Sequence, residues 1–492
     1  MQVPAAPLPP PPPLLLLLLL LLPAAARGAA ATDWSPLRLS LAEVAAQPRK
    51  ATAPETLAVT REIVRPLAEH SAHHRDLDLD LDLDLDLDDD GDSFYNATTG
   101  NKSSCGRQVG KRIAILGGGP VGLVTAARAA LEGGHDVDVW EKRAAYTREV
   151  WFDVYSAPWS QVVDWLERVG FFQVAREGSD YEKHARLDDW RVDVYTICCK
   201  SLEAFVLLLA AGAGVNVHLG STLSYEDAAA RSEFDLYVDA SGSAAVWARG
   251  AQIPRQDPEV VRWHGKAYQP KEASQIHQWS WLALVPSCEN LTDLGKGDPF
   301  YVSSQGGVDE VVAVFSRAFA ETCEVQVLFR SHARDRSKII DEVILPRLQG
   351  QKPRTARMLR LSVHHLGRAA IEAKIGNQPL IVLGDASVPA YYRMGVGLTA
   401  GFSQIQAFMT DVSGAARLKV WQLQVDHAQR QAAVMAIETR CPQAFVGFDL
   451  GAPSMAQAPI LYKYMDNDFI PVPISKCLLR EKEDNEECLE KL

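Results

Sequence analysis

Arg112-Ile-Ala-Ile-Leu116, then Gly117-Gly118-Gly119-Pro120-Val121-Gly122, then Val137-Asp-Val-Trp140-Glu141 stand in that order within 30 residues. The first run is short and apolar, as suits a strand buried in a parallel sheet. The Ala- and Leu-rich stretch from Val121 to Leu131 reads as a helix stopped by Gly133-Gly134. The third run supplies a second strand and completes a strand–helix–strand unit. Within that unit each glycine has its own task. Gly117 permits the tight turn, Gly119 lets the backbone approach a pyrophosphate, and Gly122 lets the helix pack against the strand. Pro120 and Val121 open the helix, whose free N–H groups and partial positive charge favour an anion. Glu141, ending the second strand, is placed to accept hydrogen bonds from ribose hydroxyls. The unit reads as the Rossmann-like opening of a dinucleotide-binding domain.

About 260 residues later the chain reads Pro379-Leu-Ile-Val-Leu-Gly384-Asp385-Ala386, continues through Tyr391-Tyr392-Arg393-Met394-Gly395-Val396-Gly397-Leu398, and ends at Gly401-Phe402. An apolar strand delivers Asp385, and a glycine-rich loop leads into a helix. This segment, with Glu141-Lys142-Arg143 and Arg148 upstream, resembles the single-component, FAD-dependent aromatic-hydroxylase class (class A) of flavoprotein monooxygenases. Within that class it looks most like the monooxygenase domain of the MICAL family, whose pattern is a GDA segment, an aromatic pair and M-G-x-G.

The resemblance implies FAD as cofactor and NADPH or NADH as transient reductant. It implies that Gly117, Gly119, Pro120, Val121, Gly122, Glu141, Lys142, Arg143 and Arg148 hold the nucleotide end. Asp385, after Gly384, would bond a ribityl hydroxyl, and Met394, Gly395, Val396, Gly397 and Leu398 would face the flavin pyrimidine edge. Lys200 stands where the family usually has an arginine. Tyr391, Tyr392 and Arg393 become the candidate catalytic residues, because their loop should face the ring; Arg393 would hold an anionic substrate or bond a neighbouring carboxylate. The implied chemistry is flavin reduction, oxygen addition at C4a, and hydroxylation or oxidation of a small-molecule substrate or a protein. A flavin oxidase or reductase on the same fold, and a non-catalytic flavin-binding protein, are the alternatives. Departures from the family bear on these. Lys200 lacks the planar fork of arginine, Ser241 replaces an acidic residue in Asp239-Ala240-Ser241-Gly242, and Glu149-Val150 replace two asparagines. The actin-methionine chemistry of MICAL proteins therefore does not carry over.

Residues 251–376 differ in character: Trp263, Trp279, Trp281 and alternating runs ending at Phe315 and Phe329 predict strands of a sheet, which the resemblance implies is a mixed β-sheet substrate domain inserted into the FAD-binding domain and roofing the flavin. Trp279-Ser-Trp281 with Pro286 loosely resembles the W-x-W-x-I-P signature of flavin-dependent halogenases, one residue too long. Aromatics in a strand more often form core or cross-strand pairs. His364-His365 is either a base near the substrate or a satisfied polar edge. The expected architecture is α/β: a FAD-binding domain from residues 111–250 and 377–412, the insertion, and a helical C-terminal region with a tail over 413–492.

The first 110 residues read differently again. Leu14 to Leu22, followed by Pro23 and Ala24-Ala25-Ala26, has the form of a signal peptide over residues 1–26. The run is too short to span a bilayer comfortably. Residues 27–110 read as a disordered acidic linker, because ten aspartates fall between Asp76 and Asp92 and mutual repulsion opposes burial. Without them the net charge of −12 nearly vanishes, and no basic stripe suggests a nucleic-acid partner. The sequons at Asn96, Asn101 and Asn290 agree with a secreted glycoprotein, organelle targeting being the alternative. Among the eight cysteines no metal spacing occurs; Cys477 and Cys488 are spaced to close a tail disulfide.

Overall fold

The computed structural model describes residues 33–37, 39–75, 110–148, 150–155, 162–187, 192–258, 261–263, 266–268, 277–288, 291, 311–319, 322–329, 335–389, 397–410, 415–440, 462–465 and 468–471. The proposed signal peptide, the aspartate run, the three sequon asparagines and the Cys477–Cys488 pair lie outside these residues.

Residues 33–75 are not the linker that composition predicted. α1 (Leu41–Ala46) starts at Ser40, whose side chain accepts the Glu43 N–H while Glu43 accepts the Ser40 N–H. This reciprocal cap satisfies two otherwise orphaned donors. A short 3₁₀ turn (Pro48–Thr52) leads to α2 (Pro54–Arg75). Trp34, Leu41, Val44, Ala45, Ala51, Ile63 and Val64 all join the main core. The apolar residues that reading passed over outweigh the polar composition around them.

The body begins with β1 (Arg112–Leu116), α3 (Pro120–Leu131) and β2 (Asp136–Glu141). β3 (Trp151–Tyr155), β4 (Tyr181–Leu187) and β5 (Val192–Cys198) form an antiparallel sheet in the order β3-β5-β4. Then come α4 (Cys199–Gly212), β6 (Asn216–Leu219) and β7 (Leu236–Asp239). A separate sheet is built from β8 (His277–Val285), β9 (Val311–Phe319), β10 (Thr322–Phe329) and β11 (Thr355–Ser362). The chain returns through β12 (Gln378–Val382) to α5 (Gly397–Thr410) and α6 (Ala415–Arg440).

The main sheet has the order β12-β7-β1-β2-β6, all parallel, with the short strand Lys374–Ile375 antiparallel on its β12 edge. The chain adds β2 and β6 on one side of β1, then β7 and β12 on the other. That reversal opens a crevice at the carboxyl ends of β1 and β7, where such folds place ligands. Gly117 follows β1, and its φ of 110° is one that side chains rarely adopt. A Cβ there would lie 2.2 Å from the Ala240 carbonyl oxygen, so the two loops touch at the crevice.

α4 packs on both α3 and α2. Its sequence is apolar on every side apart from Lys200, Ser201 and Glu203, a pattern that requires cover all round. The N-terminal segment provides one side of that cover. Trp34 packs on Phe205 and donates its indole N–H to the Val169 carbonyl, and Gly212 sits against Thr60 so closely that a Cβ would be 3.1 Å away.

The inserted sheet corrects one expectation. Its order is β9-β10-β8-β11 and every pair is antiparallel, not mixed. β9 and β10 are joined by a hairpin, a connection open only to antiparallel neighbours. One face, with Trp281, Ala283, Val285, Val325, Val327 and Phe329, buries against Ile339, Ile340, Ile344 and Leu348. A disulfide, Cys288–Cys323, ties the end of β8 to β10; the sequence spacing had not pointed to it.

Candidate nucleotide site at the switch point

Three strand ends converge at the crevice. Gly122 packs where a Cβ would be 1.9 Å from the Gly117 carbonyl oxygen, which presses α3 onto the turn. Gly384, with φ of 60°, and Gly401 both lie against Val121; their Cβ positions are 3.1 and 2.7 Å from its methyl groups. The two glycine motifs, far apart in sequence, thus meet on one side chain. Leu398 packs against the same core. Gly119 differs: among the described residues a Cβ there would meet only Arg148 Nη2 at 3.4 Å and Glu203 Oε1 at 3.9 Å. It is also the N-cap of α3, with no side chain capping the helix and Pro120 just inside.

Beside this open face lies a compact charge cluster. Glu141 is buried and accepts the Gly118 N–H at 2.8 Å. The Arg143 guanidinium and backbone N–H also bind it, through Nε at 2.8 Å, Nη2 at 3.1 Å and N at 2.8 Å. Burial works against the Glu141 charge, but Arg143 and the two backbone donors outweigh it and hold the carboxyl below the usual carboxylate range. Arg143 reaches on to Glu203, Nη2 to Oε1, at 3.2 Å, and Arg148 Nη2 pairs with the same oxygen. The Arg143 guanidinium lies 5.1 Å over the Tyr146 ring. The Tyr146 N–H donates to the Ala45 carbonyl, which fastens this loop to α1.

Two atoms of the cluster, Tyr146 Oη and Arg148 Nε, are buried with no hydrogen-bond partner among the described residues. Such orphans cost about 1–3 kcal/mol each unless a partner arrives. Orphaned polar atoms, an uncapped helix start and a glycine with room at its Cβ together fit a phosphate-bearing ligand.

Other predicted residues fall as follows. Pro120 is the first residue of α3, and Lys142 is exposed. Lys200 lies on α4 one turn before Glu203, and Asp385 follows Gly384 directly after β12. Gly397 opens α5. Tyr391, Tyr392, Arg393, Met394, Gly395 and Val396 lie outside the described residues. Ser241, read as a departure from the family, has structural work: its hydroxyl donates to Asp239 at 2.6 Å and accepts the Val246 N–H at 2.9 Å. Asp239 also takes the N–H groups of Trp247 and Ala248. His364 and His365 are both buried just beyond β11, His365 in a short strand that pairs antiparallel with Arg255–Gln256 and with its Nδ1 2.8 Å from the Leu366 carbonyl. Trp281 belongs to the core of the inserted sheet, and Arg336 lies 4.2 Å over the Trp279 ring. The tryptophans thus read as packing residues.

Two residues of the site escaped the sequence reading. Gln404 on α5 is buried and accepts the Gly384 N–H at 2.7 Å, which fixes the turn after β12. Glu203 was signalled only as a lone carboxylate in an otherwise apolar run. Among the described residues no cluster of His, Cys, Asp or Glu suits a metal ion, and no helix is long and apolar enough to cross a membrane.

No family model matches the chain, and no curated protein matches its sequence. Among solved structures it is similar to a flavin-dependent halogenase from Xanthomonas campestris, with a TM-score of 0.50 and 12% identity over 76% of this chain and 89% of that one. It also matches 2-methyl-3-hydroxypyridine-5-carboxylic acid oxygenase at a TM-score of 0.49 and 17% identity, over 71% of this chain and 96% of the other. The likeness to the halogenase shows a shared fold: a parallel-rich α/β body of the kind found in that flavin-dependent enzyme.

Proposed function

We propose that the chain binds FAD at the switch point and works as a flavin-dependent oxidoreductase, a monooxygenase using NADPH or NADH and oxygen. The observation that carries this reading is the meeting of the two glycine motifs at Val121, beside the buried Glu141. One motif fits a pyrophosphate on a helix start. The other resembles the flavin-facing segment of class A monooxygenases, the MICAL pattern included. In this reading Gly117, Gly119 and the start of α3 take the pyrophosphate, and Glu141 takes the adenosine ribose. Asp385 takes the ribityl chain, and the segment from Met394 to Leu398 lies along the pyrimidine edge. The bound flavin would supply electron transfer and oxygen activation; the protein supplies position and shelter from water. Tyr391, Tyr392 and Arg393 are proposed to face the substrate, a small molecule or a protein.

The test is direct. Purified protein loaded with FAD is mixed anaerobically with NADPH or NADH, and flavin bleaching is followed. Bleaching followed by oxygen uptake and incorporation into a substrate supports a monooxygenase. Peroxide as sole product with every substrate tried supports an oxidase instead.

The same reading extends to compartment. A signal peptide over residues 1–26 would route the chain into the secretory pathway as a glycoprotein. The Cys288–Cys323 disulfide supports this, because such bonds persist in oxidising compartments. Glycosidase sensitivity of the protein recovered from culture medium tests it, and recovery only from cell lysate without glycan counts against it.

A further inference from the structure

Glu203 is the one carboxylate on α4, its side chain fully buried. Removing a carboxylate from water costs several kcal/mol unless well-placed cations offset it. Arg143 and Arg148 provide that offset; Arg143 is also bound to Glu141, whereas Glu203 is the only acid that pairs with Arg148 among the described residues. Arg148 is itself two-fifths exposed, so part of its guanidinium can be reached from solvent. A free arginine side chain has many rotamers open to it; the Glu203 contact removes that freedom before any ligand arrives. The held guanidinium overhangs Gly119, with Nη2 3.4 Å from that residue's Cβ direction. Its Nε, which Glu203 does not engage, is an orphaned donor. Two guanidinium groups and two carboxylates leave the cluster neutral, so the start of α3 and the unused edge of Arg148 remain for an anion.

We infer that Glu203 is a positioning residue for the nucleotide end of the cofactor, acting through Arg148, which it holds over the glycine loop as a preset diphosphate donor. The inference rests on the FAD reading above. It predicts an effect confined to the diphosphate end, which ADP probes without flavin chemistry.

The experiment titrates the apoprotein of the full chain with FAD and with ADP, for wild type, Glu203→Gln, Arg148→Met and the double variant. Glu203→Gln is expected to weaken FAD and ADP alike by about tenfold, while riboflavin binding stays unchanged. The double variant is expected to bind ADP no more weakly than Arg148→Met alone, since Glu203 acts through that side chain. Wild-type ADP affinity in Glu203→Gln, or additive losses in the double variant, would overturn the inference while leaving the FAD reading intact. A wild type that takes up no FAD would overturn that reading instead. Should Glu203→Gln not fold, Arg148→Lys decides. Lysine keeps the charge and loses the fork, so a loss of ADP affinity supports a preset guanidinium and full retention overturns it.

Discussion

α4 separates two regions that encode structure in opposite ways. On one side lies the crevice, where Gly117, Gly119 and Gly122 each perform a task set by backbone geometry within a few residues. On the other lie residues 33–75, whose helices have meaning only because α4 needs cover. The first region is written in local rules; the second is written in the burial of Trp34, Leu41, Val44, Ala45, Ala51, Ile63 and Val64. Yet the two are joined, since the Tyr146 N–H is held by Ala45 and Tyr146 lies under Arg143. The segment that looked dispensable therefore braces the loop that carries the charge cluster.

Deleting residues 33–75 should break this arrangement most severely. Seven buried side chains at roughly 1.5–3 kcal/mol for the larger ones amount to on the order of 10 kcal/mol, comparable with the whole stability of a domain. The expected outcome is insoluble protein; a soluble, cooperatively melting truncation would show that α4 tolerates exposure. Trp34→Ala should cost about 3–5 kcal/mol, read as a lowered denaturant midpoint, because it leaves a cavity beside Phe205 and removes the bond to Val169. Gly122→Ala comes next: its Cβ would fall 1.9 Å from a backbone oxygen, and overpacking of this kind costs about 1–3 kcal/mol. Gly119→Leu sharpens the contrast. Its Cβ meets no backbone, only the far ends of Arg148 and Glu203, so the melting temperature should fall less than in Gly122→Ala while FAD binding is lost; retained binding would move the pyrophosphate elsewhere.

The smallest effect concerns pH. The Glu141 carboxyl is held below its ordinary value of 4.5. The folded state therefore gains a contribution that is fully present above the unfolded value and lost as pH falls through the folded one. Glu141→Gln should flatten the acid limb of the stability curve, and an unchanged limb would mean that Arg143 does not hold the charge in solution.

The strand–helix–strand unit was legible because each of its signals is short-range: an apolar run, a glycine triplet, an acid at the next strand end. The second motif was legible by resemblance, and Val121 explains physically why both must be present together. Other features depend on distant partners and left weaker traces. Ser40-Leu-Ala-Glu43 is itself a helix-start signature, but the aspartate run beyond it drew the reading toward a linker. The unbroken apolar stretch after Glu203 already implied a covering layer, without saying which residues supply it. The Cys288–Cys323 pairing has a sequence separation of 35 and no motif. The antiparallel character of the inserted sheet follows from its connections, which alternation of side chains does not reveal.

The most direct measurement is the visible absorption spectrum of the purified, full-length chain after incubation with excess FAD and removal of the unbound fraction. Stoichiometric flavin with a perturbed spectrum, lost in Gly119→Leu and weakened in Asp385→Ala, is the predicted result. A folded wild-type protein that stays colourless would contradict the account at its centre.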